Sequence, residues 1–329
     1  MSVEIIAEIA QGYEGNATLA RLLAKAAVCS GADAVKYQYI LADEICTPDY
    51  QYYKFFKELE MPDEAWKEVA QIVKAGGKKL YFDVDDEYGL KIALELGADG
   101  VKIHATNFYN TDLVRAALNA MPKVFVSIGG ISMEELEVFL KLHNISPGHQ
   151  VCLIYGFQAE PTSVEANKLL RIVAIKKRFP GFLLGFMDHS DGASDDAQTL
   201  SLLALPLGVD FLEKHISLDR ILEIEDYISA VAPVAFREFV TRIRRLESAL
   251  GTDNLELTEV EKNYREKVLK VVVARVPLRK GEKIISESLA LKRVGSLNRT
   301  PIYCKENAAG RTLIADVLPN QQVTKEMLS

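Results

Sequence analysis

Two stretches, LLGFMDHSDG (183–192) and VDFLEKHISLDR (209–220), decide the reading of this chain: each is a short apolar run that ends in a histidine, His189 in the first and His215 in the second. They lie one strand-helix-strand repeat apart. Working outward, six more runs of the same kind precede them: IIAEIA (5–10), ADAVKYQYI (32–40), KLYFDV (79–84), GVKI (100–103), KVFVSIG (123–129) and QVCLIYG (150–156). The last two are FLLGFMDH (182–189) and VDFLEKHI (209–216). Seven runs are followed directly by an amphipathic stretch, the eighth by a loop and then one. Alternating strands and helices imply a parallel sheet, and eight units in the first 250 residues imply a closed (β/α)8 barrel, an α/β fold, rather than an open doubly wound sheet. The Gly-x-Gly-x-x-Gly pattern of a dinucleotide fold does not follow the first run.

Periodicity places helices from Asn16, with Asn16 or Thr18 suited to cap the first, and near 63–76, 86–97, 111–120, 132–142, 163–178, 194–206 and 233–249. Gly31, Gly76, Gly97 and Gly208 fall at or just past helix ends. After Gly251 the rhythm changes. A polar stretch leads to the β-branched run VVVARV (271–276), and short apolar segments with turn signals follow. The expected organisation is a barrel over 1–255, a linker over 256–267 and a small, mostly β domain over 268–329. About 60 residues make a marginal core, so the small domain is expected to dock on a partner surface.

The chain has 329 residues, 49% hydrophobic and 26% charged, with a formal net charge of −7. That balance argues against general nucleic-acid binding. Four scattered cysteines with no C-x-x-C pair fit reduced thiols, not a disulfide framework or structural zinc. Neither a signal peptide nor an apolar stretch of about 18 residues is found, so a cytoplasmic protein without a membrane span is expected.

In such barrels the chemistry gathers at the C-terminal ends of the strands. Those ends carry Glu8, then Lys36 and Gln38, Asp83 and Asp85, Lys102 and His104, Ser127 and Gly129, Gln158, Asp188 and His189, and Glu213 and His215. A lysine in a buried strand is costly unless an anion meets it, so Lys36 and Lys102 point either to a phosphate or carboxylate ligand or to pairing with Glu8, Asp83 or Glu213. Two imidazoles at adjacent strand ends, near Glu213 and Asp188, suit a catalytic divalent ion with open positions. His104 is a further ligand or a substrate contact, and Glu8 and Asp226 are candidates for proton transfer or sugar hydroxyls.

These residues resemble the sialic acid (N-acetylneuraminate) synthase family. The resemblance runs through IAEIAQGYEGN (6–16), GADAVKYQ (31–38), GVKIHATNFYN (100–110), VFVSIGG (124–130), FQAEPTSVEANKL (157–169), GFMDHSDG (185–192) and LEKHISLDR (212–220). VARVPLRKGEKIISESLALKRVG (273–295) is similar to the antifreeze-like (SAF) domain that ends these enzymes. The resemblance implies condensation of phosphoenolpyruvate with an aldose or amino sugar, such as N-acetylmannosamine, to a 2-keto-3-deoxy ulosonic acid with release of phosphate. It implies that His189 and His215 bind the metal, commonly Mn2+, with Mg2+, Co2+ or Fe2+ as alternatives. Glu8 would lie beside the reacting carbons, and Lys36 and Lys102 would hold phosphoenolpyruvate, with Ser127 and Gly129 near its phosphate. Gln38 and Asp226 match sugar-contacting positions. In a homodimer, Arg293 would reach the neighbouring subunit's active site.

The chain departs from the family pattern inside the site. Gly12 and Tyr13 replace an asparagine-histidine pair, and Phe82-Asp83-Val84-Asp85 replaces S-T-P-F. Ala105 and Met187 stand for serines, Asn107 for an acidic residue and Glu160 for a tyrosine. Ile224-Glu225-Asp226 keeps only the acid of a glycine-proline-aspartate motif. Lost hydroxyls and an added carboxylate should weaken binding of a phosphate trianion, and the altered sugar contacts imply a changed acceptor. Other readings are a metal-dependent pyruvate aldolase, a silent barrel that binds a sugar or partner, and a structural subunit of a synthase complex.

Overall fold

A computed structural model describes residues 2–159 and 161–329, which fall into two compact units, Met1–Gly251 and Thr252–Ser329. In the first, eight parallel strands close into a barrel: β1 (Glu4–Ala10), β2 (Ala34–Tyr39), β3 (Lys79–Val84), β4 (Gly100–Ile103), β5 (Val124–Ser127), β6 (Val151–Tyr155), β7 (Leu183–Asp188) and β8 (Phe211–His215). β1 closes the ring against β8 with Glu8 opposite His215. The (β/α)8 barrel expected from the eight runs is thus present.

The surrounding helices are α1 (Ala17–Cys29), α2 (Ala42–Ile45), α3 (Tyr53–Leu59), α4 (Asp63–Ala75), α5 (Glu87–Glu95), α6 (Thr111–Ala120), α7 (Met133–Leu142), α8 (Leu170–Arg178), α9 (Asp196–Ala204) and α10 (Pro233–Leu250). Side-chain caps fix the starts of α1, α5, α6 and α7. The Asn16 side chain accepts from the amides of Thr18 and Leu19, and Ser132 with Glu135 forms a capping box ahead of α7. One expected helix is shorter than its periodicity suggested. Residues 164–167 form a 3-10 turn and Lys168 is left-handed (φ 45°), so only 170–178 of the expected 163–178 is α-helical. The Asn167 amide donates to Ser163 O at 2.8 Å, a local bond that competes with helix continuation.

Both faces of the strands are buried, as a parallel sheet requires. Their outer face packs on the helices in one large apolar core. The barrel interior is filled from the bottom by Ile6, Ala34, Tyr81, Phe125, Cys152, Ile154, Met187 and Phe211, with the Phe125 ring edge-on to Tyr81 and Phe211. Two residues further along the strands, the same inward face turns from apolar to charged.

The second unit has its own core, built from Val272, Leu278, Ile284, Leu289, Ile302, Leu313, Val317 and Val323, around the antiparallel pair β9 (Val271–Ala274) and β10 (Leu289–Lys292). Part of the segment expected to be a linker is helical, as α11 (Glu259–Val268). Thr258 and Glu261 form a capping box there, a T-x-x-E signature that the polar composition concealed. Among the described residues, no helix is long and apolar enough to cross a membrane.

Candidate active site

At the C-terminal mouth of the barrel lies a cavity of about 250 Å3. Ten of the residues expected at the site line it: Glu8, Gln38, Lys102, His104, Ser127, Gly129, Gln158, His189, Glu213 and His215. They arrive there because the period-2 alternation of eight strands aims every second side chain inward.

Directly beneath the cavity, two buried lysines meet three buried carboxylates. Lys36 Nζ pairs with Glu8, lies 2.7 Å from Asp83 Oδ1 and 3.4 Å from Glu213 Oε2. Lys102 Nζ lies 3.0 Å from Asp83 Oδ2, 3.1 Å from Glu213 Oε1 and 4.0 Å from Glu8 Oε2. Internal pairing, one of the two alternatives for these lysines, is therefore present. Lys36, fully buried, does not line the cavity, whereas Lys102 does.

The electrostatics of this cluster follow from crowding. Burial, aided by the Glu213 and Asp83 carboxylates and opposed by Lys36, pushes Glu8 up to about 8. Burial alone would also lift Glu213, but the ammonium groups of Lys102 and Lys36 outweigh it and hold Glu213 below the ordinary carboxylate range. Glu8 is thus protonated at neutral pH, leaving two ammonium groups facing two carboxylates. A β-bulge sets its position, since the register shifts between Glu8 and Ala10, Ala10 adopts φ 50°, and the Ala10 amide donates to Glu8 Oε1 at 2.6 Å.

His189 and His215 stand at the wall, ring centroids 5.2 Å apart. Burial and the neighbouring His215 hold His189 well below its usual value, and burial lowers His215, so both rings are neutral, the form that binds metal. Among the described residues neither Nδ1 atom has a hydrogen-bond partner. Nor, among the described residues, is any group of three or more His, Cys, Asp or Glu arranged to hold a metal. The donor set therefore fits an open, two-imidazole site and not a closed structural one.

Asp188, expected beside these histidines, faces the other way. As the residue between Met187 and His189 it points outward, where it accepts from Ser190 Oγ at 2.6 Å and Ser201 Oγ at 2.8 Å and pairs with the fully buried Lys214 at 3.3 Å. It is no ligand candidate, because strand alternation commits it to the opposite face.

The other expected residues surround the mouth without lining the main cavity. Asp226, left-handed at φ 64°, accepts from Gln158 Nε2 at 2.7 Å and lines a smaller cavity of about 130 Å3 that shares Gln158. Asn107 donates to Asp85 Oδ1 at 2.6 Å. Burial, with the Asp83 and Asp86 carboxylates, raises Asp85 to about 7 despite that bond. Burial and Lys102 lower His104 to about 4, so it too is neutral. Arg293 is exposed in the second unit, its Nε donating to Val268 O at 3.2 Å. Glu160 lies outside the described residues.

Tyr13, which replaces a polar site residue of the resembled family, is buried, donates to Gln38 O at 3.1 Å and packs edge-on against Trp66, making it part of the core. Phe157 and Gly156 also line the cavity and were not singled out from the sequence. Nothing in periodicity marks a loop phenylalanine as a wall. Gly129 had a readable reason, since a Cβ there would collide with Gly156 O where the loops after β5 and β6 cross.

Comparison with known proteins agrees with this architecture. The NeuB family model matches residues 23–254, and the SAF domain model matches residues 270–329. An N-acetylneuraminate-9-phosphate synthase from Mus musculus is 26% identical over 98% of this chain and 91% of its own. An N,N'-diacetyllegionaminic acid synthase from Legionella pneumophila is 25% identical over 90% of this chain and 86% of its own. The crystal structure of an N-acetylneuraminic acid synthetase from Leptospira borgpetersenii shares the fold with a TM-score of 0.74, at 24% identity over 82% of this chain and 93% of that one. The first of the two models spans well over half of the sequence, and by that match the chain belongs to the NeuB family.

Proposed function

We propose that this carbon-carbon bond-forming enzyme condenses phosphoenolpyruvate and water with an aldose or amino sugar, giving a 2-keto-3-deoxy ulosonic acid and inorganic phosphate. The observation that carries the reading is the convergence of Lys102, a protonated Glu8 and two neutral histidines with unpartnered Nδ1 atoms on one cavity. A divalent ion held by His189 and His215, manganese for preference, would supply Lewis-acid polarisation of the sugar aldehyde.

The remaining roles fall to the chain itself. Lys102 binds an anionic group of the donor and orients its nucleophilic carbon toward the aldehyde. Lys36 acts from below by fixing Glu8, Asp83 and Glu213. Glu8, which holds its proton up to about pH 8, gives it to the sugar oxygen that becomes negative as the carbon-carbon bond forms. Ser127 and the Gly129 backbone line the donor end, while Gln38, His104, Gln158, Asp226 and, through Asp85, Asn107 offer polar groups to the sugar hydroxyls. Which sugar fits follows from that last set, and the relatives' names already differ in their sugar. A cytoplasmic homodimer in which Arg293 serves the neighbouring subunit's cavity belongs to the same proposal.

One observation favours a second reading. Asp83 already engages both lysines, which suits a pyruvate aldolase that needs no phosphate site. Calorimetric titration of phosphoenolpyruvate into manganese-loaded protein separates the two. The condensation reading expects saturable binding that Lys102→Ala abolishes, and binding of pyruvate alone would favour the aldolase.

A further inference from the structure

The charged layer at the cavity floor sets two carboxylates, Asp83 and Glu213, and the protonated Glu8 against two ammonium groups, and Asp83 stands apart in its geometry. Asp83 bridges the pair through both oxygens, 2.7 Å to Lys36 and 3.0 Å to Lys102, whereas Glu213 reaches the same lysines at 3.4 Å and 3.1 Å. Lys36 has no exposed surface and Asp83 almost none, and neither lines the cavity. Lys102 is the one ammonium group among the described residues that lines it, and its charge is shared with Asp83 and Glu213. An anion entering from the cavity therefore meets a partly neutralised cation, the Glu213 carboxylate beside it in the wall and the Asp83 carboxylate behind it.

We infer that Asp83 is a specificity-determining residue that grades the donor by charge, acting as an internal counter-anion that keeps Lys36 below the floor and disfavours a trianionic enol phosphate relative to a monoanionic 2-keto acid. The inference rests on the proposed donor reading for the location of the anion and goes beyond it by naming the group that tunes affinity. In a low-dielectric layer a fixed like charge within about 5 Å opposes a second anion by an amount comparable to one or two pKa units. Replacing the carboxylate by an isosteric amide keeps an acceptor for Lys36 and removes the repulsion.

The test titrates manganese-loaded, full-length wild type, Asp83→Asn and Asp83→Ser with phosphoenolpyruvate and, separately, with pyruvate. Both variants are expected to bind phosphoenolpyruvate about 10- to 100-fold more tightly than wild type, with pyruvate affinity changing by less than about threefold. Unchanged or weaker phosphoenolpyruvate binding in a variant with wild-type circular dichroism overturns the inference. Wild type provides a measurement that needs no substitution: a preference for phosphoenolpyruvate over pyruvate greater than about 100-fold would also overturn it. Product formation by wild type is scored separately. Its absence counts against the condensation reading, while the role of Asp83 is read from the binding ratios alone.

Discussion

Lys214 and Asp188 form a buried pair on the outer face of β7 and β8, directly behind the two histidines, and their unequal surroundings predict an unequal response to mutation. Lys214 has no exposed surface and Asp188 almost none. If Lys214 is replaced by methionine, Asp188 keeps three donors: the Ser190 amide at 3.0 Å, Ser190 Oγ at 2.6 Å and Ser201 Oγ at 2.8 Å. If Asp188 is replaced by alanine, Lys214 keeps only Ser190 Oγ at 3.2 Å and two carbonyls at 3.5 Å. Breaking a buried pair costs about 3–5 kcal/mol when the survivor is stranded. Lys214→Met should therefore cost about 2–3 kcal/mol, and Asp188→Ala about 4–5 kcal/mol. The double variant Lys214→Met, Asp188→Ala should cost less than the two single effects combined, because the contacting residues are coupled. Urea unfolding followed by fluorescence is well placed to measure this, since Trp66 is the sole tryptophan and is buried in the barrel unit. Equal costs for the two single variants, or costs below about 1 kcal/mol for both, would refute the reasoning.

Four shorter predictions concern the mouth. Manganese binding, measured by elemental analysis after gel filtration, should be one ion per chain in wild type and lost in His215→Ala, with the barrel fold intact by circular dichroism. Asp85 is raised from 3.8 to about 7, so the folded state holds a proton that the unfolded chain gives up, and this contribution is fully present below pH 3.8 and lost as pH rises through about 7. With screening of a half-buried group, wild type should lose about 2 kcal/mol across that window relative to Asp85→Asn, and parallel pH curves in urea melts would contradict this. Gly129→Ala should push the loops after β5 and β6 apart, costing about 2–3 kcal/mol and most of the activity, read by thermal melts and turnover. Gln158→Ala should raise KM for the sugar several-fold with little change in kcat, as expected for a group that binds substrate and transition state alike.

The barrel was legible because its strands are short, apolar and regularly spaced, and all eight lie within two residues of the expected runs. Strand alternation also helped bring ten expected residues to one cavity, since a period of two fixes which face each strand side chain takes. The same rule excludes Asp188, so that error was avoidable: a residue between two inward-facing neighbours must face out. Other features had no periodic signal. The short helices α2 and α3, the unwound segment before α8 and the wall residue Phe157 depend on loop packing. Whether Lys36 and Lys102 met a ligand or internal acids depended on Glu8, Asp83 and Glu213 converging from three separate strands. Lysines in a strand reveal that a counter-charge exists without revealing where it sits.

The most direct test of the proposed chemistry is to incubate manganese-loaded protein with phosphoenolpyruvate and a panel of aldoses and 2-acetamido sugars, following inorganic phosphate and analysing products by mass spectrometry. The account predicts, for at least one sugar, an acid extended by three carbons, formed in step with phosphate and lost in Lys102→Ala and His215→Ala. The same acid formed from pyruvate with no need for phosphoenolpyruvate, or no extended acid from any sugar, would contradict it.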